Sequence, residues 1–88
     1  MNALPTLKLA DLASGQHATV ARLLARSPEA EPALLRRLAE IGFVPGEPVH
    51  LLRRGPGGRE PLAVQVGDTM FALRLVEARC VQVEAPHD

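Results

Sequence analysis

The hydrophobic positions of residues 34–46 predict a short amphipathic helix that ends at a glycine and leads into a strand. Leu34, Leu38 and Ile41 recur at the i, i+4 and i+7 spacing that places side chains on one helix face. Leu35 widens this face. We therefore expect Leu38 and Ile41 to be buried against the neighbouring strands, as an apolar plug for the core.

The residues after this helix carry two signals that depend on glycine. Gly42 falls where a helix end favours a residue with positive φ, and Phe43 can fold back onto the last helical turn. Pro45-Gly46 fits a type II turn, with proline at the second position and glycine at the third. The helix should therefore stop abruptly and the chain should reverse within a few residues.

The start of the helical region contains two prolines. Ser27 is a suitable N-cap, and Pro28 suits the first helical position. Pro32 has no amide hydrogen to donate to the carbonyl four residues back, so it would break a helix that began at Pro28. We expect a short turn at 28–31 and the main helix at about 32–41.

Alternation with a period of two predicts about five short strands on either side of this helix. Leu7 and Leu9 alternate over a short stretch, and Leu12 is expected to cap the core from a turn. The longer alternating segments are residues 17–24, 47–54, 62–66, 70–74 and 80–84. In the last segment we expect Val81 and Val83 to point inward and Cys80 to lie on a strand face.

The connections between these strands have their own signals. Gly67-Asp68 predicts a two-residue hairpin turn of the primed kind. Residues 55–61 are rich in glycine and proline and are expected to form an irregular loop. Residues 75–78 are too few for a regular helix, so we expect one 3₁₀ turn.

Together these elements predict a mainly β fold. Short strands in a small domain must hide their edges, and closure into a barrel does so. We expect a small, partly open β-barrel of about five strands, with one or two short helices inserted after the first long strand. The 88 residues should form one domain, residues 1–88, with an ordered core at about 7–84.

Composition narrows the function classes. Ten basic residues balance ten acidic ones, which argues against a general nucleic-acid binder and against a polybasic membrane anchor. Two phenylalanines are the only aromatic residues, too few for stacking on nucleic-acid bases. Cys80 is the single cysteine and suits a reducing cytoplasm. We expect neither a signal peptide nor direct insertion into a membrane.

Candidate catalytic and metal-binding residues are few. The histidines at 17, 50 and 87 are scattered, and Cys80 has no CxxC partner. Residues 55–58 lack the lysine of a phosphate-binding loop. His50 and Glu47 are candidate ligands for ferrous iron, but we favour their interpretation as an exposed strand residue and a turn acid. We therefore expect no enzyme activity and no cofactor.

Arginine supplies every basic residue except Lys8. Five arginines could form one positive region if the helix packs over one opening of the barrel: Arg36, Arg37, Arg53, Arg54 and Arg59. Arginine is enriched at interface hot spots because its planar fork pairs well with carboxylates. We predict these five as partner-binding residues. The alternative is that all five are solvated and serve solubility.

The order of motifs from about residue 7 to residue 84 resembles the ferrous iron transport protein A (FeoA) family. The most specific parts are Arg-Leu-x-Glu-Ile-Gly-Phe-x-Pro-Gly at 37–46 and Ala-Leu-Arg-x-x-Glu-Ala at 72–78. The resemblance implies an SH3-like barrel and a cytoplasmic accessory of FeoB, the membrane ferrous iron transporter with a GTP-binding domain. Such a protein could lie at the inner face of the membrane through its partner.

This resemblance leaves several alternatives open. The module also resembles the C-terminal domain of metal-dependent repressors, but those need a helix-turn-helix domain ahead of it, so we expect the stand-alone transport accessory to be the better match. A second hypothesis is a small metal-responsive sensor that itself binds Fe²⁺ or another divalent ion. The loop at 55–61 is longer than in many relatives. The transporter surface, the direction of the effect and weak self-association stay open.

Overall fold

The alternating segments of the chain form six strands in a computed structural model that describes residues 6–24 and 32–85. The strands are β1 Thr6–Lys8, β2 His17–Leu23, β3 Pro48–Arg54, β4 Leu62–Val66, β5 Thr69–Leu73 and β6 Val81–Glu84. Helix α1, Pro32–Glu40, lies between β2 and β3, and helix α2, Leu75–Ala78, between β5 and β6. Two 3₁₀ turns, Leu9–Asp11 and Pro56–Gly58, follow β1 and β3.

All strand pairs are antiparallel, and the order across the sheet is β1-β6-β2-β3-β4-β5. The mainly β, partly open fold is confirmed, with one strand more than the pattern predicted. Register shifts after Val20 in β2 and after Leu51 in β3 mark bulges. Bulges increase the local twist and bend of a strand, so the two longest strands can curl the sheet around its core.

One side of the sheet is buried, as the alternation predicted. In β4, Leu62, Val64 and Val66 are buried while Ala63 and Gln65 are half-buried. The same alternation places the valines of β6 inside. A single cluster joins these side chains to those of the helices and turns, and Leu9, Leu12, Leu38 and Phe43 are among its largest members.

The end of α1 has the hydrogen bonds of a Schellman motif. The amide of Phe43 donates to the carbonyl of Leu38 at 3.0 Å, and the amide of Gly42 donates to that of Ala39 at 3.1 Å. Gly42 has φ 125°, as expected for the residue that ends the helix. Leu38 and Phe43, the two positions that such a motif brings into contact, are 1% and 0% exposed.

The predicted turn after the helix is also confirmed. The amide of Glu47 donates to the carbonyl of Val44 at 3.1 Å, and Gly46 has φ 92°. The turn is tied to β2, because Gly46 donates to the carbonyl of Val20 and Val20 donates to that of Glu47, both at 2.8 Å. The helix stop and the start of β3 are therefore one hydrogen-bonded unit.

The β4–β5 hairpin has the predicted two-residue turn. Val66 pairs with Thr69, which leaves Gly67 and Asp68 as the turn residues. Gly67 has φ 58°, while Asp68 is not among the residues with positive φ. Positive φ at the first turn residue alone is the pattern of a type II′ turn.

Other local expectations need correction. Residues 75–78 form one α-helical turn rather than a 3₁₀ turn, with the amide of Ala78 bonded to the carbonyl of Arg74. Its first amide finds an acceptor outside the turn, since Leu75 donates to Oε1 of Glu60 at 3.0 Å. Cys80 is buried in the turn before β6, where its Sγ contacts the carbonyl of Val76 at 3.3 Å.

Three further details of the structure differ from the predictions. The loop at 55–61 contains the short 3₁₀ turn, and α1 ends at Glu40, one residue early. Ile41 is half-buried rather than buried, because it lies beyond the last helical residue. The predicted turn at 28–31 lies outside the described residues. None of the helices in residues 6–24 and 32–85 is long and apolar enough to cross a membrane.

Replacement of Leu38 should test whether the apolar face of α1 packs into the core. We expect Leu38→Ala to lower the free energy of unfolding by about 2–5 kcal/mol, the range for emptying a well-packed site. Urea unfolding measures it. Met70→Ala is the control, because Met70 is 67% exposed and should change stability by less than about 0.5 kcal/mol. A loss below that value for Leu38→Ala would place the side chain outside the core.

Replacement of Gly42 should test the helix stop. A Cβ there would meet only the methyl groups of Val66, at 3.4 and 3.7 Å, so crowding is mild and backbone strain dominates. We expect Gly42→Val to cost about 1–3 kcal/mol in urea unfolding. Ala33→Val adds the same branched side chain on the exposed surface of α1 and should cost well under about 1 kcal/mol. Equal losses of unfolding free energy in the two variants would contradict backbone strain at Gly42.

Candidate docking surface

The C-terminal end of α1 lies beside β5 and leaves a cavity of about 390 Å³ between them. We call it the α1–β5 groove. It is lined by Arg37, Leu38, Ile41, Phe71, Ala72, Leu73, Arg74 and Glu77. The groove exists because the helix stops at Glu40 and the chain turns away, so the helix end covers the core without covering the outer strand.

The floor of the groove is apolar and is held by the core. Leu38 and Leu73 are buried beneath it, while Ile41 and Phe71 are half-buried at its surface. The ring of Phe71 lies 6.3 Å from that of Phe43, at an interplanar angle of 50°, an arrangement that aromatic pairs favour. Phe71 therefore presents part of its ring to solvent from a supported position.

One wall of the groove is a sheet edge. Among the described residues, β5 pairs with β4 alone. An edge strand offers backbone amide and carbonyl groups on its free side, and these can accept another strand. The exposed residues of β5 are Thr69, Met70 and Ala72. Within β5, therefore, no large charged side chain opposes pairing with another strand.

Charged groups flank the apolar floor. Arg37 and Arg74 line the groove and are both exposed. Its carboxylate, Glu77, is engaged locally, because Oε1 accepts the amide of Arg74 at 2.8 Å. The two guanidinium groups and the apolar floor together suit an extended segment that combines apolar and acidic side chains.

The five predicted arginines do not all share one surface. Arg37 lines the α1–β5 groove, whereas Arg53 and Arg54 line a second cavity of about 580 Å³ beside the loop that follows β3. Ala72 of β5 lines both cavities, so the two surfaces meet at that residue. Arg36 and Arg59 are exposed and line neither cavity.

Glu47 and His50 were named as candidate iron ligands, although we favoured a turn acid and an exposed strand residue, and among the described residues they belong to no metal-binding cluster. Residues 6–24 and 32–85 contain no group of three or more His, Cys, Asp and Glu side chains that could hold a metal ion. The imidazole of His50 instead lies against that of His17 on the neighbouring strand. A carboxylate-rich iron site is therefore not present in that part of the chain.

The family of this protein follows from comparison with known proteins. Residues 7–85 match the FeoA domain. The chain belongs to the FeoA family. Stenotrophomonas maltophilia FeoA, solved in complex with zinc and described as a prokaryotic SH3 domain protein, is 44% identical, with a TM-score of 0.77 and coverage of 89% of each chain. Chlorobium tepidum FeoA is 33% identical, with a TM-score of 0.77, over 90% of this chain and 70% of that one.

More distant similarity concerns the fold alone. A manganese-dependent transcriptional repressor matches at 24% identity and a TM-score of 0.76, over 97% of this chain and 44% of the repressor. A search of curated proteins found no match.

FeoA proteins are small SH3-like accessory proteins associated with ferrous iron transport, and they are not enzymes.

Two groove residues of this FeoA protein were missed by the sequence analysis. Phe71 was placed in a strand without a functional role, and Arg74 was recognised only within the family motif. The sequence feature that could have identified both residues is their position after a tight hairpin, at the end of the β3–β4–β5 meander. What could not be read from sequence is that α1 ends beside that strand, because this contact joins segments about thirty residues apart.

Arg54 differs from the other predicted arginines because its guanidinium donates hydrogen bonds to backbone carbonyls of the protein itself. Its Nη2 donates to the carbonyls of Ala10 and Leu12, the latter at 2.7 Å, and its Nη1 donates to the carbonyl of Gly58 at 3.3 Å. The end of β3 is thereby joined to the turn after β1 and to its own following loop. Arg54 is half-buried, whereas Arg53 is exposed.

The hydrogen bonds of Arg54 should contribute measurably to the free energy of unfolding. We expect Arg54→Met to lower the free energy of unfolding by about 1–3 kcal/mol, because partly buried carbonyls lose a charged donor. Arg53→Met removes the same charge one residue away and should change stability by no more than about 0.5 kcal/mol. Urea unfolding of both variants gives the comparison, and equal small losses would show that Arg54 is solvated.

Proposed function

We propose that this FeoA protein is a cytoplasmic accessory of ferrous iron uptake that binds the cytoplasmic part of the transporter FeoB through the α1–β5 groove. Binding would modulate the activity or the assembly of the transporter. The observation that carries the proposal is the groove itself, where an apolar floor, a free sheet edge and two arginines lie together.

The groove suits a peptide segment of the partner in extended conformation. Such a segment would add to β5 through backbone hydrogen bonds, and alternate side chains would then point toward the floor. Apolar side chains would contact Ile41 and Phe71, while acidic ones would pair with Arg37 and Arg74. Aromatic and arginine side chains are enriched among the residues that dominate binding energy at interfaces.

The family relationship supports the biological context of this proposal. FeoA proteins are associated with ferrous iron transport, and a role as a ferrous iron transport activating factor has been proposed for the S. maltophilia relative. An accessory protein needs a surface for its partner rather than a reaction centre. The α1–β5 groove is the candidate for that surface.

Charge reversal in the groove should weaken this interaction. We expect the double variant Arg37→Glu and Arg74→Glu to bind the soluble cytoplasmic domain of FeoB at least about tenfold more weakly, since acidic partner groups would meet like charges. Both side chains are exposed, so the melting temperature should shift by less than about 3 °C. Calorimetry with and without guanine nucleotide measures the binding.

The matched control reverses the other exposed pair, Arg53→Glu and Arg59→Glu. These changes alter the net charge equally but lie outside the α1–β5 groove, so they should reduce affinity by less than about threefold, mainly through the association rate. Equal losses from both double variants would indicate general charge attraction rather than binding at the groove. Phe71→Ser should weaken binding at constant charge, and unchanged affinity would contradict the proposed floor.

A further inference from the structure

Two histidines face each other across neighbouring strands, away from the groove. His17 of β2 is the register partner of His50 of β3. Their imidazole rings stack, with centroids 3.8 Å apart and an interplanar angle of 16°. Ala18 and Val49, the next residues in the two strands, are buried, so the histidines lie on the opposite, outer face of the sheet.

The backbone explains why the rings come so close. Leu51 donates to the carbonyl of Gln16 at 3.0 Å, and the carbonyl of Glu47 accepts the amide of Val20 at 2.8 Å. Backbone groups alternate in direction along a strand, so those of His50 point away from β2. The pair is therefore non-hydrogen-bonded, the type in which opposite Cα atoms approach to about 4.5 Å and side chains lie closest.

The surroundings of the pair leave it accessible. His17 is exposed and His50 is half-buried, and both line a shallow cavity of about 200 Å³ together with Pro48 and Gln65. In the register, Gln65 lies beside His50 and Met70 lies beside Gln65. The outer face thus carries a row of imidazole, imidazole, amide and thioether side chains across four strands.

Two adjacent imidazoles suit a particular class of ion. Imidazole nitrogen is a preferred ligand of Zn²⁺, Ni²⁺, Cu²⁺ and Fe²⁺, and a poor one for Mg²⁺ and Ca²⁺, which prefer oxygen. Zinc binds imidazole nitrogen at about 2.0–2.1 Å. To share one ion, the two stacked rings would rotate about their Cβ–Cγ bonds so that one nitrogen of each faces it, and water would complete its coordination.

We propose that His17 and His50 form a binding site for a borderline divalent transition-metal ion on the outer face of the sheet. The site shares no residue with the α1–β5 groove. It differs from the candidate pair Glu47 and His50 of the sequence analysis, because its second ligand comes from the neighbouring strand β2 rather than from the turn just before β3. It does not depend on the proposed binding of FeoB.

Calorimetry on tag-free protein tests the site, with Zn²⁺ as the probe. We expect about one Zn²⁺ per chain at near-neutral pH, and no binding of Mg²⁺ at the same concentrations. His17→Gln and His50→Gln should each weaken Zn²⁺ binding by at least about tenfold, since removal of a group that merely supports a ligand already costs 10–100-fold. His87→Gln is the matched control and should bind as the parent does.

Thermal unfolding gives a second readout that does not depend on heats of binding. Zn²⁺ should raise the melting temperature of the parent and of His87→Gln, but not of His17→Gln or His50→Gln. Acidification should abolish the effect, because protons compete with the ion for imidazole nitrogen. Absence of Zn²⁺ binding by the parent, undiminished binding by His17→Gln or His50→Gln, or loss on His87→Gln would each overturn the proposal.

Discussion

The helix stop at Gly42 is the constraint on which the rest of the structure depends. Two hydrogen bonds close the last turn of α1, and Phe43 then enters the core beside Leu38. The following turn is held to Val20 by two further backbone bonds. One short segment thus fixes the helix over the core, starts β3 beside β2 and leaves β5 uncovered. The α1–β5 groove is a consequence of this arrangement.

Local signals in the sequence were sufficient for much of this fold. The spacing of Leu38, the glycine at 42 and the Pro45-Gly46 turn were all predicted, because each depends on residues within a few positions of one another. The strand alternation was predicted for the same reason. Residues 75–78 were predicted as a 3₁₀ turn because they are few, but the amides of Ala78 and Arg79 bond to carbonyls four residues back, and the first amide finds its acceptor in Glu60, a residue distant in sequence.

The functional surfaces were less accessible to sequence reasoning. Five arginines were grouped by charge, but Arg54 is committed to backbone carbonyls and only Arg37 lines the groove. Composition cannot separate a guanidinium that donates internally from one that is solvated. Likewise the histidines at 17 and 50 are far apart along the chain, although the strand register places them side by side.

The position of β6 has a consequence for how the chain folds. This strand lies between β1 and β2, so Thr6 pairs with Glu84 and Val20 with Val83. The meander β3–β4–β5 can pair as it leaves the ribosome, whereas β1 must wait for a strand made more than seventy residues later. Closing so long a loop costs chain entropy before contacts repay it. Strand β1 therefore pairs only once β6 is present, and folding is completed only after residues 81–84 have been synthesised.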